Sequence, residues 1–167
     1  NCVAYEQGTK LADVAIAEIG GYLGRSGCFV WVALKDPSSD ELLEMQRQFG
    51  LHDLAVEDAR HGHQRPKIEE YGDTVFTVMH MVELTPTDAM QVGEVCVFVG
   101  SNFVLSVRSH STQGFLGVRE RAEREPHLLR HTVRRPLILA AASLPDRHGY
   151  FSLGTNADYV GRFLGTW

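Results

Sequence analysis

The chain has 167 residues, of which 44% are apolar and 22% charged, and its formal net charge is −5 at pH 7. This length and composition predict one folded domain with a buried core and exclude a wholly disordered chain. The acidic balance argues against a nucleic-acid partner. The sequence also lacks the continuous apolar run of about eighteen residues that a membrane-spanning helix needs.

The first part of the chain predicts a hairpin, a helix and a buried strand. The hairpin turns at Gly8, and the helix follows from apolar residues spaced three and four apart. The strand is a run of seven apolar residues, which needs cover on both faces of its sheet. In chain order, these segments are the strands 2–5 and 10–14, the helix 15–23 and the strand 28–34.

An amphipathic helix is predicted after this strand. Ser38 and Glu41 have the spacing of a capping box, in which each side chain binds the other residue's backbone N–H. Leu42, Met45 and Phe49 then fall on one helical face, and the glycine that follows ends the helix. This face is expected to pack on the sheet.

The remaining elements are a short helix, three strands and a last helix. A tight turn at residues 100–102 predicts that the last two strands form a hairpin. In the last helix we expect Phe115, Val118 and Ala122 to face inward and Pro126 to end it. This order predicts a mixed-sheet α/β layer fold. The segments are the helix 53–60, the strands 75–82, 93–100 and 102–107, and the helix 111–125.

The sequence carries no recognised catalytic motif. It contains no phosphate-binding glycine loop, no dinucleotide fingerprint, no metalloprotease His pair and no nucleophile elbow. We therefore expect a protein that is not an enzyme and that has no organic cofactor.

Two adjacent carboxylates, Glu57 and Asp58, stand near the end of the short helix. Adjacent helical residues point about 100° apart, so the two side chains are not expected to chelate one ion together. Each can supply one hard oxygen ligand to Mg²⁺ or Ca²⁺. The alternative is that they are solvated or paired with Arg60, Arg65 or Lys67.

Softer metal ligands are sparse. The cysteines Cys2, Cys28 and Cys96 are widely spaced, which argues against disulfides and a structural zinc site and predicts buried, inert thiols in a reducing compartment. His61 and His63 form the one close histidine pair and are candidate ligands for Zn²⁺ or Co²⁺.

Several short motifs resemble the cytoplasmic amino-terminal domain of the CorA-type magnesium/cobalt transport proteins, whose relatives include the ZntB zinc transporters. The similarity covers about residues 1–131. The adjacent Glu-Asp pair followed by Gln-Arg-Pro-Lys is the most specific part. The matching motifs are Phe49-Gly50-Leu51-His52, Leu54-Ala55-Val56-Glu57-Asp58 and Gln64-Arg65-Pro66-Lys67-Ile68-Glu69.

The resemblance implies an α/β/α sandwich whose mixed, largely antiparallel sheet is covered by helices. It implies a homopentamer at the cytoplasmic side of the bacterial inner membrane, in which Mg²⁺ or Co²⁺ bound between domains holds a channel closed. Asp58 would be a regulatory ligand, with a second carboxylate supplied by a neighbouring subunit's stalk helix. Glu57 would be a weaker ligand or would act from outside the direct coordination of the ion.

The resemblance also carries a structural motif. We expect its four residues to fix the loop and the helix–sheet junction rather than to touch metal; they are Gln64, Arg65, Pro66 and Lys67.

Residues 132–167 depart from the family pattern, because prolines and glycines interrupt the long stalk helix expected there. The stalk, the membrane helices and their Gly-Met-Asn motif are therefore expected to be missing from this chain, which predicts a soluble piece of a membrane protein. The alternatives are a ZntB-like zinc transporter domain and a free-standing truncated cytosolic binding module.

Overall fold

The computed structural model describes residues 1–84, 90–111, 114, 116–126 and 129. Within them the chain forms seven strands and four α-helices, with a short 3₁₀ turn at Ile16–Glu18. The strands are β1 (Cys2–Glu6), β2 (Thr9–Asp13), β3 (Cys28–Lys35), β4 (Lys67–Tyr71), β5 (Thr74–Leu84), β6 (Met90–Val99) and β7 (Phe103–Ser109). The helices are α1 (Ile19–Leu23), α2 (Ser39–Phe49), α3 (Asp53–His61) and α4 (Leu116–Arg124).

All the described strands join one sheet in the order β2-β1-β3-β7-β6-β5-β4. The pair β3–β7 is parallel and the other pairs are antiparallel. Both predicted hairpins are present, since β1 pairs with β2 and β6 pairs with β7. The predicted mixed, largely antiparallel sheet is confirmed.

Helices cover the sheet on both faces. On one face α2 buries Leu42, Met45 and Phe49, the three residues that the helical spacing selected. On the other face α4 buries Ala122, and Tyr5 on β1 donates a hydrogen bond of 2.7 Å to a carboxylate of α4. The α/β/α layering is therefore confirmed. The main core cluster lies between the sheet and helices α1 to α3; its largest members are Ile19, Met45, Phe49, Phe76, Phe98, Phe103 and Leu105.

The ends of α2 follow its local sequence. The Ser38 hydroxyl accepts a hydrogen bond from the Glu41 N–H at 3.2 Å, and the Glu41 carboxylate accepts one from the Ser38 N–H at 2.8 Å. Gly50 ends the helix in the left-handed conformation, with φ 63° and ψ 40°. Glycine adopts this conformation without a side-chain clash, so the predicted start and end of α2 are confirmed.

Strand β4 was not predicted. Its five residues, Lys-Ile-Glu-Glu-Tyr, include no apolar run and are only half buried, because β4 is the edge strand beside β5. The one local signal is the turn after it, where Gly72 has a φ of 59°. The backbone pairing with β5 therefore defines β4 as a strand, because the composition of β4 does not.

Some expectations about the last helix and the residues after it differ from the structure, and others lie outside the described residues. Val118 was expected to face inward, but it is 55% exposed, and Arg119 takes the buried position beside it. Arg119 is held there by the Trp31 ring, 4.9 Å from its guanidinium carbon. Phe115 and the boundary predicted at residue 131 lie outside the described residues, as does the tail 132–167.

None of the helices in the described ranges is long and apolar enough to cross a membrane.

A substitution in the capping box of α2 tests whether Ser38 stabilises the start of this helix. We expect Ser38→Ala to lower the free energy of unfolding by about 1 kcal/mol, because it leaves a helix N–H without its acceptor. Ser39→Ala, one position inside the helix, is the matched control and is expected to change stability by less than about 0.5 kcal/mol. Urea unfolding of both variants measures the difference, and equal effects would contradict the capping role.

Candidate functional site

Helix α3 and strand β4 form the candidate site. The His52 ring precedes α3 and stacks on the Tyr71 ring of β4, with ring centres 4.3 Å apart. At its other end the N–H of Gly62 binds the carbonyl oxygen of Asp58 and closes the helix. Ala55, Val56 and Ala59 fall on the face of α3 that is buried against the sheet. Asp58 thus lies at the border between the helix and β4.

Asp58 is bound by Lys67, the first residue of β4. The Lys67 Nζ donates a hydrogen bond to Asp58 Oδ2 at 2.8 Å and forms a second ion pair with Glu69 Oε2 at 3.0 Å. Tyr71 OH donates to the same Glu69 oxygen at 2.9 Å. Of the pairings considered from the sequence, the structure contains the one with Lys67.

The charges of this cluster shift one another's protonation. The hydrogen bond to Asp58 raises the pKa of Lys67 to about 12, against an opposing effect of burial. The hydrogen bonds from Lys67 and Tyr71 lower the pKa of Glu69. Burial, and then the bond to Glu69, raises the pKa of Tyr71. Lys67 is therefore firmly cationic and Glu69 firmly anionic at neutral pH.

Glu57 and Asp58 have different surroundings. The Glu57 side chain is 57% exposed and its Oε1 lies 3.8 Å from His61 Nδ1, whereas the Asp58 side chain is 21% exposed and faces Lys67. This agrees with the divergence expected of adjacent helical residues. Among the residues that the structure describes, no three His, Cys, Asp or Glu side chains form a group that would hold a metal ion.

The Gln-Arg-Pro-Lys segment links α3 to β4. The Gln64 N–H donates to Glu94 Oε2 at 2.9 Å, and His80 Nε2 donates to the Gln64 carbonyl oxygen at 2.8 Å. Thr77 Oγ1 on β5 donates to the Lys67 carbonyl oxygen at 3.1 Å. The backbone of the segment is thus tied to the sheet at both ends, while the side chains of Arg65 and Pro66 are exposed.

Glu94 is the residue of this region that the sequence reasoning missed. It is only 8% exposed, and its carboxylate accepts the Gln64 N–H. The available signal was a single acidic residue directly before the apolar run that ends strand β6. A buried carboxylate needs hydrogen-bond donors, and here the loop after α3 supplies one.

All three cysteines are free and buried. Burial raises the pKa of each thiol, which suppresses the reactive thiolate form. The predicted burial of Cys2, Cys28 and Cys96 is confirmed. The predicted histidine pair is not the one that the structure brings together, since the ring that lies beside His63 is that of His110 and His61 contacts Glu57.

The sequence matches the family model described as CorA-like Mg²⁺ transporter protein over residues 26–136. This match covers more than half of the chain, so the chain belongs to the CorA-like family of metal ion transporters. A Bacillus subtilis (strain 168) protein named as metal ion transporter YfjQ is 33% identical over 100 residues, which are 60% of this chain. The chain spans 30% of the length of that relative.

Solved structures share the fold. The full-length CmaX protein aligns with a TM-score of 0.59 at 16% identity, covering 74% of this chain and 38% of that one. The CorA magnesium transporter of Methanocaldococcus jannaschii aligns at 0.52 and 14%, covering 80% and 39%. The ZntB cytoplasmic domain of Vibrio parahaemolyticus aligns at 0.52 and 9%, covering 73% and 49%. These likenesses establish the fold of the described residues as that of this family's domain.

The ion pair between Lys67 and Glu69 predicts a pH-dependent stability. Folding lowers the pKa of the Glu69 carboxyl, so this group stabilises the protein at pH values above its ordinary pKa of 4.5. The stabilisation is lost as the pH falls through the pKa of the folded state. We expect Glu69→Gln to cost about 0.5 kcal/mol at pH 7, since the pair is partly exposed.

The difference between the Glu69→Gln variant and the unmutated chain should narrow as the pH falls below 4.5. Urea unfolding across this range measures it. Glu70→Gln, at the exposed neighbouring position, is the control. A difference that persists unchanged into the acid range would contradict the assignment.

Proposed function

We propose that this chain is the cytoplasmic, divalent-cation-sensing part of a magnesium/cobalt channel, and that Asp58 is its regulatory ligand. Membership of the CorA-like family supports the transport role. The observation that carries the sensing role is the position of Asp58, a 21% exposed carboxylate at the end of α3 with one oxygen bound to Lys67.

The geometry of Asp58 suits a hydrated ion. Among the described residues, Lys67 is the side chain that binds this carboxylate, and it uses Oδ2. The second oxygen, Oδ1, is the one we assign to the ion. Mg²⁺ keeps most of its water shell and is commonly held through one or two carboxylates, so a single carboxylate oxygen is a suitable contribution.

The second carboxylate of this site would come from another subunit. Glu69 is already bound by Lys67 and Tyr71, and Glu57 lies on a different side of α3. A site that is completed only between subunits favours the assembly in which those subunits meet. Bound Mg²⁺ then shifts the population toward the closed arrangement, and its loss leaves facing carboxylates that repel. A homopentamer at the inner membrane is the assembly that we propose.

The chemistry of the donors favours Mg²⁺ over Zn²⁺ at this site. Carboxylate oxygens are hard ligands, whereas zinc sites are usually built with thiolate or imidazole. Asp58 and Glu57 offer oxygen, and the three cysteines are buried. The ZntB-like alternative shares the fold but lacks this support at Asp58.

Asp58→Asn tests the proposed role of Asp58 as a regulatory ligand. The variant is made in the whole transporter to which we propose that this chain belongs. Asparagine keeps the shape of the side chain but removes the charge that holds a divalent ion. We expect Mg²⁺ to protect the variant from proteolysis less well than the unmutated transporter, with the protection curve moved to higher Mg²⁺ concentration. Asp53→Asn, on the same helix, is the control, because Asp53 binds Gln46 instead. An unchanged curve for Asp58→Asn would remove the assignment.

The chain by itself should bind Mg²⁺ weakly, since it supplies only part of the ligand set. We expect a dissociation constant on the order of millimolar or weaker by calorimetry. Lys67→Gln should strengthen binding, because it removes the cation that competes for Asp58, and Asp58→Asn should abolish it. Tight one-to-one binding by the unmutated chain would contradict a site shared between subunits.

A further inference from the structure

His63 and His110 lie side by side at one edge of the domain. Their ring centres are 6.3 Å apart, with the ring planes inclined at 46°. His63 belongs to the loop between α3 and β4, whereas His110 directly follows β7. The two residues are therefore brought together from distant parts of the sequence by the fold.

Both histidines occupy an unusual backbone conformation. Each has a φ of 58°, in the left-handed region that side-chain-bearing residues rarely adopt. Such strain persists only where neighbouring contacts hold the backbone, and it is concentrated at functional sites. Its occurrence at two neighbouring histidines is the observation that separates this pair from the other histidines of the described residues.

Fixed contacts hold the backbone on either side of the pair. The N–H of His110 donates to Asp36 Oδ1 at 3.0 Å, and the carbonyl oxygen of His110 accepts from Gln91 Nε2 at 3.0 Å. Next to His63, the Gln64 N–H donates to the buried carboxylate of Glu94. The backbone that carries the two rings is thus anchored by hydrogen bonds, with a carboxylate bound beside each ring.

We propose that His63 and His110 together bind Zn²⁺ or a similar transition-metal ion. Two imidazoles on one tetrahedral Zn²⁺, with Zn–N distances of about 2.0 Å, have ring centres about 5 Å apart. The observed separation needs a closing movement of about 1 Å, which side-chain rotation supplies. Water completes the coordination, and Asp36 and Glu94 add negative charge nearby.

This site is distinct from the one proposed at Asp58 and does not depend on it. Its donors are imidazole nitrogens, which suit Zn²⁺, Ni²⁺ and Co²⁺, whereas Mg²⁺ prefers oxygen. The chain connects the two, since Gly62, whose N–H closes α3 on Asp58, directly precedes His63. An ion on His63 and His110 would tie the loop after α3 to the end of β7.

Calorimetric titration of the full chain with Zn²⁺, in the presence of excess Mg²⁺, tests the proposal. We expect one-to-one binding that Mg²⁺ does not displace. His63→Asn and His110→Asn should each weaken it by at least about tenfold, the loss that removal of even an outer-shell partner causes. Asparagine is chosen because it tolerates the left-handed conformation, so the fold is expected to survive.

Two control variants should keep the affinity of the unmutated chain. His61→Asn removes the neighbouring exposed imidazole, and Asp53→Asn removes a carboxylate of helix α3 that binds Gln46. Unaltered zinc affinity in both His63→Asn and His110→Asn would overturn the proposal, as would an equal loss in His61→Asn.

A measurement on the unmutated chain covers the case in which a variant does not fold. Zinc should shift the NMR signals of the His63 and His110 ring protons before those of other histidines. Shifts confined to other histidines, or no shift at any histidine, would overturn the proposal.

Discussion

The parallel pairing of β3 with β7 is the constraint on which the rest of the domain depends. It joins the N-terminal hairpin to the later antiparallel strands, in a register that runs from Val30 opposite Phe103 to Lys35 opposite Arg108. Two parallel neighbours cannot be linked by a tight turn. The chain between them must therefore return to the end of the sheet at which β3 begins. The intervening residues provide α2 and α3, which cover one face, and β4 to β6, which extend the sheet.

The same pairing brings together the polar groups that follow the last residues of β3 and β7. Because β3 and β7 run in the same direction, their last residues lie together. The Asp36 N–H donates to the Arg108 carbonyl oxygen at 2.9 Å, and Asp36 Oδ1 accepts the N–H of His110. The loop after α3 reaches this region through Glu94 and brings His63 to His110. A pairing made by backbone groups thus determines which side chains meet.

Helix α3 shows how one short element combines packing with charge. Ala55, Val56 and Ala59 bury its inner face in the main core cluster. Asp58, at the border of that face, meets Lys67 on the edge strand. The ion pair contributes modestly to stability because it is partly exposed. Its larger consequence is that the carboxylate is held in one position beside the edge strand β4.

Local signals predicted most elements but not the edge strand β4. The helix α2 was predicted with its cap at Ser38 and its end at Gly50, because both signals act within one helical turn. Strand β4 was missed because an edge strand needs neither an apolar run nor strict alternation; its pairing partner defines it. Val118 was misplaced for a related reason, since helical spacing cannot show that Arg119 would be buried against Trp31.

The sequence by itself determined the class of fold, the positions of the main helices and strands, and the motifs that mark the CorA-like family. These features rest on residues a few positions apart, whose interactions are already present in a short segment of chain. Only the tertiary structure decided which cation meets Asp58, which carboxylate anchors the loop at Gln64, and which imidazole lies beside His63. Each of those partners belongs to a different strand or its end, and the strand order of the folded sheet determines where they meet.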